Sequence, residues 1–454
     1  MLPHISLPKP MLTFPSGFLW GVSTSAHQFE GGNFHNQWHE WEQRGEIRSG
    51  HTCTPACDWW NNAAHDLDLC RDLGLNTLRI SLDWGRLEPT QGKWNDEAFE
   101  RYRTLLRMIH ARGMRPFVTL HHFTHPTWFE KDGAFLNGSL IPLFVAYAER
   151  AVAELRDLCC DWLTFNEPNV YATFGYLFGE FPPGRRNQVR DTAVVLSNIH
   201  RAHALAYDRI HGLQSEARVG LTTNWTEFQA ATASPADRFL AYIYDGIFNR
   251  SSFQFLRSGA PDFPFGALSP NVPEVIDKTD FIGVNVYNRL YVRSPFEFSR
   301  WSTGGIFVLP EVPQGDRGVN LPYGEAYPAA VLGAVREYGQ LRVPVYVMEN
   351  GVPDESDRIR PWVIVNTLKH LHQLISEGFD VRGYFHWSIV DNFEWNEGWT
   401  LRFGLYGLDR DTQQRKPRFS ASLYQQIVAA NGISDEQLSR FSEPPSPVAP
   451  TSGN

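Results

Sequence analysis

The feature that most constrains the fold is an alternation of short strand-like segments with helical segments. Eight such runs can be counted: "FLWGVS" (18–23), "NTLRISLDW" (76–84), "RPFVTLHH" (115–122), "DWLTFNE" (161–167), "RVGLTTN" (218–224), "DFIGVNVY" (280–287), "PVYVMEN" (344–350) and "RGYFHWS" (382–388). Helices are predicted at 96–112, 140–158, 192–211, 236–257, 328–338 and 361–377. Repeated strand–helix units indicate a parallel sheet, and eight strands predict a closed (β/α)8 TIM barrel of the α/β class.

The barrel is predicted to form a single domain over residues 14–432. Residues 1–13 include three prolines and are predicted to form a loose N-terminal arm, and residues 433–454 end in "SEPPSPVAPTSGN" and are predicted to be a disordered tail. The stretch 295–323 is long for a connection between a strand and a helix. Long loops at the C-terminal face of a barrel usually shape the entrance to its site.

Polar or aromatic side chains stand at the ends of seven of the eight predicted strands. A single polar residue there would simply mark the exit of a strand into a loop. Seven together favour a site, because the strand ends of such a barrel converge on one face. These residues are Arg79 with Trp84, His121 with His122, Asn166 with Glu167, Asn224, Asn285 with Tyr287, Glu349 with Asn350, and Trp387.

Two of these residues, Glu167 and Glu349, are acids at the tips of the fourth and seventh strands. A carboxylate that faces the inside of a barrel mouth is expected to have a compensating partner or a role in the chemistry, since burying a charge costs free energy. Two opposed carboxylates are what the cleavage of a glycosidic bond requires: one donates a proton, and the other acts as nucleophile or base. Pro168 has no N–H and disfavours a helical conformation at the preceding residue, so the chain is predicted to be extended at Glu167.

A metal site is the alternative for such acids, and the sequence does not favour one. Arg79 near the pair would compete with a cation. His121 and His122 are adjacent on a strand and point to opposite sides, so one faces the pocket and the other packs behind the barrel wall. Cys53 and Cys57 lack a second pair of ligands with suitable spacing. The sequence therefore predicts no metal and no other cofactor.

Charge and hydropathy limit the partners and the location of the chain. The 41 basic and 50 acidic residues give a net charge of −9, which argues against a nucleic-acid or anionic-lipid surface. No apolar stretch is long enough for a membrane-spanning helix, and the N-terminus has no pattern of a secretory signal. The odd number of five cysteines indicates reduced thiols. A cytoplasmic protein is predicted, and the sequence leaves its oligomeric state open.

Seven motifs make the chain resemble the β-glycosidases of glycoside hydrolase family one. They occur in the order of the family, between about residues 14 and 430, and read "FLWGVSTSAHQFEGG", "LRISLDWGRLEP", "TLHHFTHPTW", "TFNEPN", "DFIGVNVY", "MENG" and "WSIVDNFEWNEGWTLRFGL". A lone "NEP" or "ENG" would be a weak signal, whereas seven ordered motifs are specific. The resemblance implies a retaining exo-glycosidase that hydrolyses β-glycosides by double displacement through a covalent glycosyl-enzyme intermediate.

The resemblance also implies a role for each matching residue. Glu167 is similar to the general acid/base and Glu349 to the nucleophile of the family, and Arg79 and Tyr287 match residues that contact the nucleophile. Gln28 and Glu394 resemble groups that bind the 3-, 4- and 6-hydroxyls of the sugar, and Trp387 resembles its stacking floor. The full set of implied substrate-binding residues is Gln28, His122, Asn166, Asn285, Trp387, Glu394, Trp395 and Phe403.

The substrates implied are small-molecule β-glycosides and oligosaccharides. Relatives that act on 6-phosphorylated sugars replace the residue matching Glu394, and because that acid is present here, unphosphorylated β-glucosides are expected, with β-galactosides or β-fucosides. Two alternatives stay open: a non-catalytic carbohydrate-binding protein, against which both acids argue, and net glycosyl transfer through the same intermediate. Departures from the family pattern at Phe123, Thr124, Val286, Met348 and Trp399 bear on the aglycone and chain-length preferences, which the resemblance therefore does not fix, rather than on the chemistry.

Overall fold

The computed structural model describes residues 11–297, 300–301, 305–319 and 323–445 of the 454-residue chain. Most of the predicted arm 1–13, the end of the predicted tail and parts of the predicted loop 295–323 lie outside the described residues. The described chain folds around one closed parallel barrel. The predicted α/β TIM barrel is thereby confirmed.

The eight barrel strands are parallel and pair in the order of the sequence. Pairing of the fifth strand with the sixth and of the eighth with the first closes the ring. The strands are β1 (Leu19–Ser23), β2 (Thr77–Ser81), β3 (Arg115–His121), β4 (Asp161–Asn166), β5 (Arg218–Ala230), β6 (Phe281–Arg293), β7 (Val345–Asn350) and β8 (Val381–His386). Each predicted strand is present, and β5 and β6 continue six residues beyond their predicted ends as a paired ribbon.

Helices surround the barrel and connect its strands. The principal ones are α1 (Trp59–Asp72), α2 (Asp96–His110), α3 (Ile141–Leu155), α4 (Val189–Leu213), α5 (Pro235–Asp245), α6 (Ser251–Ser258), α7 (Ala330–Tyr338), α8 (Arg360–Ser376), α9 (Phe419–Ala430) and α10 (Asp435–Arg440). Shorter helices lie in the loops at Ala26–Glu30, Gln37–Gln43, Trp84–Leu87, Thr127–Lys131 and Pro168–Ala172. None of the helices that the structure describes is both long and apolar enough to cross a bilayer.

Helix α2 illustrates why the sequence forms these elements. The Asn95 side chain accepts a hydrogen bond from the Ala98 N–H and caps the first turn. Tyr102, Leu106 and Ile109 follow at helical spacing and are fully buried against the barrel. Gly113, at a φ of 75°, ends the segment soon after the helix. The apolar stripe is therefore what docks this helix on the sheet.

Two predicted elements differ from the structure. The helix expected over 236–257 is divided into α5 and α6 by a π-helical turn at Gly246–Arg250. The expected disorder from residue 433 is wrong for the start of the tail, because Gly432–Ile433 pairs with Leu12–Thr13 and α10 follows. Ser434 and Gln437 form a capping box at the start of α10, and Leu438 packs against the core.

The interior of the barrel is closed by a cluster of large apolar side chains. The Phe117 ring lies 5.5–5.8 Å from the rings of Phe281, Tyr346 and Phe385, in edge-to-face contacts. Leu163 and Met348 complete the buried cluster. Most of these residues lie near the beginnings of their strands, so the polar side chains that come later in the strands lie above an apolar base, toward the C-terminal face.

Replacing Gly220 of β5 by Ala is expected to destabilise the barrel. An added Cβ would lie 2.3 Å from the Phe281 carbonyl oxygen, which belongs to a paired strand and cannot move away. Such crowding costs about 1–3 kcal/mol in the free energy of unfolding. The midpoint of denaturant unfolding measures it. The control is Gly212→Ala in α4, where nothing lies within 4 Å and Ala favours the helix; equal midpoints for both variants would contradict the packing argument.

Candidate active site

Glu167 stands at the point where β4 gives way to a short helix. Its backbone is in the left-handed region, at φ 46° and ψ 64°, and its N–H donates to the Thr222 carbonyl oxygen over 2.8 Å. The predicted extended conformation at this residue is therefore wrong. Pro168 begins the helix Pro168–Ala172 instead, as a residue without an N–H can at a first helical turn.

This unusual backbone explains how two adjacent residues face one pocket. The pairing of β4 with β5 shifts register between Leu163 and Asn166, so the strict alternation of the strand is broken there. The left-handed turn at Glu167 then points its side chain to the same side as that of Asn166, and Asn285 Nδ2 donates to both, at 3.1 Å to Asn166 and 2.8 Å to Glu167. Such a conformation persists only where its surroundings hold it.

The two oxygens of Glu167 have different surroundings. Oε1 accepts hydrogen bonds from Asn224 Nδ2 and Asn285 Nδ2, both at 2.8 Å. Oε2 has no hydrogen-bond partner among the described residues. Since Oε1 already faces two amide donors, a proton on this carboxyl belongs on Oε2. The amides therefore determine which oxygen can donate a proton into the pocket.

Glu349, at the end of β7, is held as an anion by two donors. Arg79 Nη1 donates to Oε1 over 2.6 Å, and the Tyr287 hydroxyl donates to Oε2 over 2.7 Å. Arg79 is fully buried and is itself fixed by Thr119 Oγ1 at 2.9 Å and by Asn166 Oδ1 at 2.6 Å. A buried guanidinium paired in this way stabilises the ionised carboxylate beside it.

The two acids differ in how readily they lose their protons. Burial and the negative charge of Glu349 raise the pKa of Glu167 to about 8. Burial also raises the pKa of Glu349, but Arg79 and the hydrogen bond from Tyr287 act against this rise. Glu349 is therefore the acid that ionises first, and its charge keeps the proton on Glu167 near neutral pH.

His122 faces this pocket, and His121 packs behind the barrel wall, as the strand alternation predicts. Asn166 Nδ2 donates to His122 Nε2 over 3.1 Å, because Asn166 Oδ1 is occupied by Arg79. Nδ1 of His122 then carries the proton and has no partner among the described residues. His121 instead contacts the Phe135 and Phe165 rings, at 5.2 and 5.3 Å.

The far wall of the pocket is built by Gln28 and the loop after β8. Gln28 Nε2 donates to Asn392 Oδ1 at 2.9 Å and to the Phe393 carbonyl at 2.8 Å, and lies 3.5 Å from Glu394 Oε2. The pKa of Glu394 is raised to about 8 by burial and by the charges of Glu349 and Glu167. The pocket thus contains a third acid that is set to keep its proton at neutral pH.

The twelve residues to which the family resemblance assigns a role all lie in this pocket. Trp395 packs 6.0 Å and Trp387 6.2 Å from the His122 ring, and Phe403 packs 5.9 Å from the Tyr287 ring. Direct contacts link the whole set: Gln28, Arg79, His122, Asn166, Glu167, Asn285, Tyr287, Glu349, Trp387, Glu394, Trp395 and Phe403. Among the family departures, Phe123 lies 5.2 Å from the Trp395 ring and so belongs to the wall.

Two further residues belong to the pocket, and the sequence analysis does not assign them to it. Asn224 is noted there only as a polar strand end, although it binds Glu167 directly. Tyr323 lies in the long loop after β6, 5.1 Å from Phe403 and 5.9 Å from Tyr287, and the charges of all three pocket acids contribute to its raised pKa. No local signal marks Tyr323, because only the folded loop brings it there.

Cys53 does not pair with Cys57 in a ligand set but lies with His27 and Glu42. Their ligand atoms are within 4.8 Å of one another, which is the spacing of a possible metal site. These atoms are already hydrogen-bonded, since His27 Nε2 lies 3.0 Å from Glu42 Oε1 and the Cys53 Sγ–H donates to the His27 carbonyl oxygen over 3.0 Å. The His27 ring stacks 5.8 Å from Trp395, so this buried group supports the pocket wall.

Comparisons with known proteins agree with one another. The sequence model of glycosyl hydrolase family 1 matches residues 11–433. Beta-glucosidase A of Thermotoga maritima is 30% identical, in an alignment that covers 93% of this chain and 99% of that protein. A beta-galactosidase of Sulfolobus acidocaldarius is also 30% identical, and the alignment covers 94% of this chain and 97% of that protein. The solved structure of a beta-glycosidase from Pyrococcus horikoshii superposes with a TM-score of 0.85 at 35% identity, over 96% of this chain and 99% of that one.

Replacing Glu349 by Gln is expected to lower the pKa of Glu167 from about 8, because the negative charge that contributes to its rise is removed. Infrared difference spectroscopy of the carboxyl band, titrated against pH, measures the shift. Glu130→Gln is the matched control, since Glu130 binds His125. An unchanged Glu167 titration in the Glu349 variant would show that the two acids are not coupled.

Proposed function

The chain belongs to glycosyl hydrolase family 1 and is a retaining β-glycosidase, and we propose that Glu167 is its acid/base and Glu349 its nucleophile. The observation that carries this assignment is the contrast between the two buried acids. Glu349 is paired with Arg79, whereas the side-chain partners of Glu167 among the described residues are amides, and its pKa is about 8. Opposed protonation states at neutral pH are what a proton donor and a nucleophile require.

In the first step, the Glu349 carboxylate attacks the anomeric carbon while Glu167 gives its proton to the departing oxygen. The bond from the anomeric carbon to the aglycone oxygen breaks, and an ester to Glu349 forms. Arg79 and Tyr287 hold the nucleophile in position. Oε2 of Glu167, which accepts no hydrogen bond from the part of the chain that the structure describes, is the oxygen from which the proton leaves.

In the second step, Glu167 acts as a base. Esterification removes the charge of Glu349, which is one of the two main causes of the raised pKa of Glu167. Its pKa then falls, so Glu167 stays ionised until it takes a proton from water, and that water releases the sugar from Glu349. Asn224 and Asn285 stabilise the ionised form throughout, since both donate to Oε1.

The substrates we propose are terminal, unphosphorylated β-D-glucosides, together with β-galactosides or β-fucosides. Two observations support this choice. The relatives include a beta-glucosidase and a beta-galactosidase. Arg79 is the single cation among the described pocket residues and is already paired with Glu349, so the pocket offers no free cation to compensate the charge of a sugar phosphate. Gln28 and Glu394 would hold the hydroxyls at the far end of the sugar.

For its location we propose the cytoplasm. The five cysteines are all unpaired thiols, and four of them are buried, which suits a reducing compartment. The net charge of −9 supports small neutral glycosides rather than nucleic acid or anionic membrane as partners.

Replacing Glu349 by Gln is expected to abolish turnover of an aryl β-glucoside, because an amide cannot form the ester. The release of the aryl group is followed optically, and proton NMR of the wild-type reaction should show the β-anomer of the sugar as the first product. Glu130→Gln should keep wild-type activity. Full turnover by Glu349→Gln would exclude the assignment, and a wild-type protein that cleaves no aryl glycoside would favour a carbohydrate-binding protein.

Replacing Glu394 by Ala is expected to lower kcat/KM for an aryl β-glucoside by about a hundredfold, because buried partners of the sugar hydroxyls are lost. An aryl β-fucoside differs from an aryl β-galactoside only by lacking the 6-hydroxyl, and it should lose less than the galactoside does. The ratio of the two kcat/KM values measures the effect. Equal losses for both sugars would show that Glu394 does not contact the 6-hydroxyl, and the wild-type ratio serves as the reference.

A further inference from the structure

Arg48 lies in the loop after β1 and connects it to loops that follow two other strands. Its Nη1 donates to Glu397 Oε1 over 2.7 Å, and its Nη2 donates to Glu180. The Arg48 N–H also donates to the Asn396 carbonyl over 3.0 Å. Glu397 is in the loop after β8 and Glu180 in the loop after β4, so one guanidinium joins three loops of the C-terminal face. We call Arg48, Glu180 and Glu397 the Arg48 bracket.

A fourth loop joins the bracket through Glu397. Oε2 of Glu397 accepts a hydrogen bond from the Val319 N–H, in the long loop after β6, over 2.7 Å. Both oxygens of Glu397 are therefore occupied. The side chains of Arg48, Glu180 and Glu397 are 23%, 23% and 17% exposed, so they are only partly screened by water.

The loops that the bracket joins carry the wall of the sugar pocket. Glu394 and Trp395 lie within one turn of Glu397, and the Glu397 N–H donates to the Glu394 carbonyl over 2.8 Å. Next to Glu180, Phe181 packs 4.8 Å from Trp38 and 6.2 Å from Trp395. A movement of either acid of the bracket would therefore move a side chain that faces the sugar.

Two ion pairs, from Arg48 to Glu180 and from Arg48 to Glu397, stabilise the Arg48 bracket. Glu180 and Glu397 are two acids held by one cation, and without Arg48 they would repel each other. The negative charge of Glu397 also contributes to the raised pKa of Glu394. Loss of Arg48 would thus both loosen the loop of Glu394 and leave an unpaired charge one turn away from it.

We propose that Arg48 is a positioning residue that sets sugar specificity by holding Glu394 and Trp395 against the bound glycone. It touches no substrate and acts through the loops it joins. This inference rests on the proposed function, since it explains how that same pocket distinguishes one sugar from another. The chemistry at Glu167 and Glu349 does not depend on the bracket, so Arg48 should govern binding of the sugar rather than bond cleavage.

The test compares Arg48→Met with Arg48→Lys and with Arg71→Met on two aryl glycosides. Arg71 is an exposed arginine of α1 and controls for the loss of one positive charge. In Arg48→Met, kcat/KM for the β-glucoside should fall about tenfold, mainly through KM, because a displaced contact costs binding in the ground state and the transition state alike. The β-fucoside, which lacks the 6-hydroxyl, should be affected less, so the glucoside-to-fucoside ratio should fall.

Lysine should rescue the ratio only in part, because a single ammonium cannot replace the fork that binds two carboxylates. Glu397→Gln is a second variant for the case that Arg48→Met does not fold, and it should lower the same ratio. The double variant Arg48→Met/Glu397→Gln should lower kcat/KM by less than the product of the two single effects, since both substitutions break the same contact. Arg71→Met should match the wild type.

Two results would overturn the proposal. One is an unchanged glucoside-to-fucoside ratio in both Arg48→Met and Glu397→Gln, even with a lower melting temperature, because the bracket would then be merely structural. The other is a fall in kcat with an unchanged KM. Neither of these two results bears on the proposed function. That function is contradicted separately if Glu349→Gln keeps full turnover or if the wild type cleaves neither glycoside.

Discussion

The ion pair between Arg79 and Glu349 is the interaction on which the rest of the site depends. Both groups are buried, and a pair of charges without water is stable only when further hydrogen bonds complete it. Thr119, Asn166 and Tyr287 supply those bonds. Because the pair is satisfied, Glu349 stays charged. Together with burial, its charge then raises the pKa of Glu167, so one ion pair helps to keep the proton on a second acid that it does not touch.

Stability and chemistry are separated along the axis of the barrel. Phe117 and the rings around it fill the interior near the beginnings of the strands, and the polar network lies above them, nearer to the strand ends. The strands thus hold the acids Glu167 and Glu349 on rigid backbone, while the loops carry Trp395, Glu394 and the Arg48 bracket. A rigid base can tolerate a strained residue such as Glu167, since the neighbouring strands hold its left-handed backbone in place.

Much of the fold follows from periodicity in the sequence. Each of the eight strands and the helix α2 are found near their predicted positions, because short apolar runs and helical stripes report local structure directly. The break between α5 and α6 and the order of α10 were not predicted. Both depend on the surface against which a segment packs, and a window of neighbouring residues carries no information about that surface. Tyr323 was missed for the same reason, since a contact that forms only when a long loop folds has no local pattern in the sequence.

By itself, the sequence determined which chemical groups are available and at which strand ends they stand. From that order follow the barrel and the two acids Glu167 and Glu349, whereas the sugar-binding set around them is implied by the resemblance to the family. Only the tertiary structure decided how these groups act: that Glu167 turns inward through a register shift, that Asn224 and Asn285 leave its Oε2 for the proton, and that Arg48 joins distant loops. The physical reason is that each of these features is a contact between residues far apart in the chain, and its energy depends on a geometry that exists only once the barrel has closed.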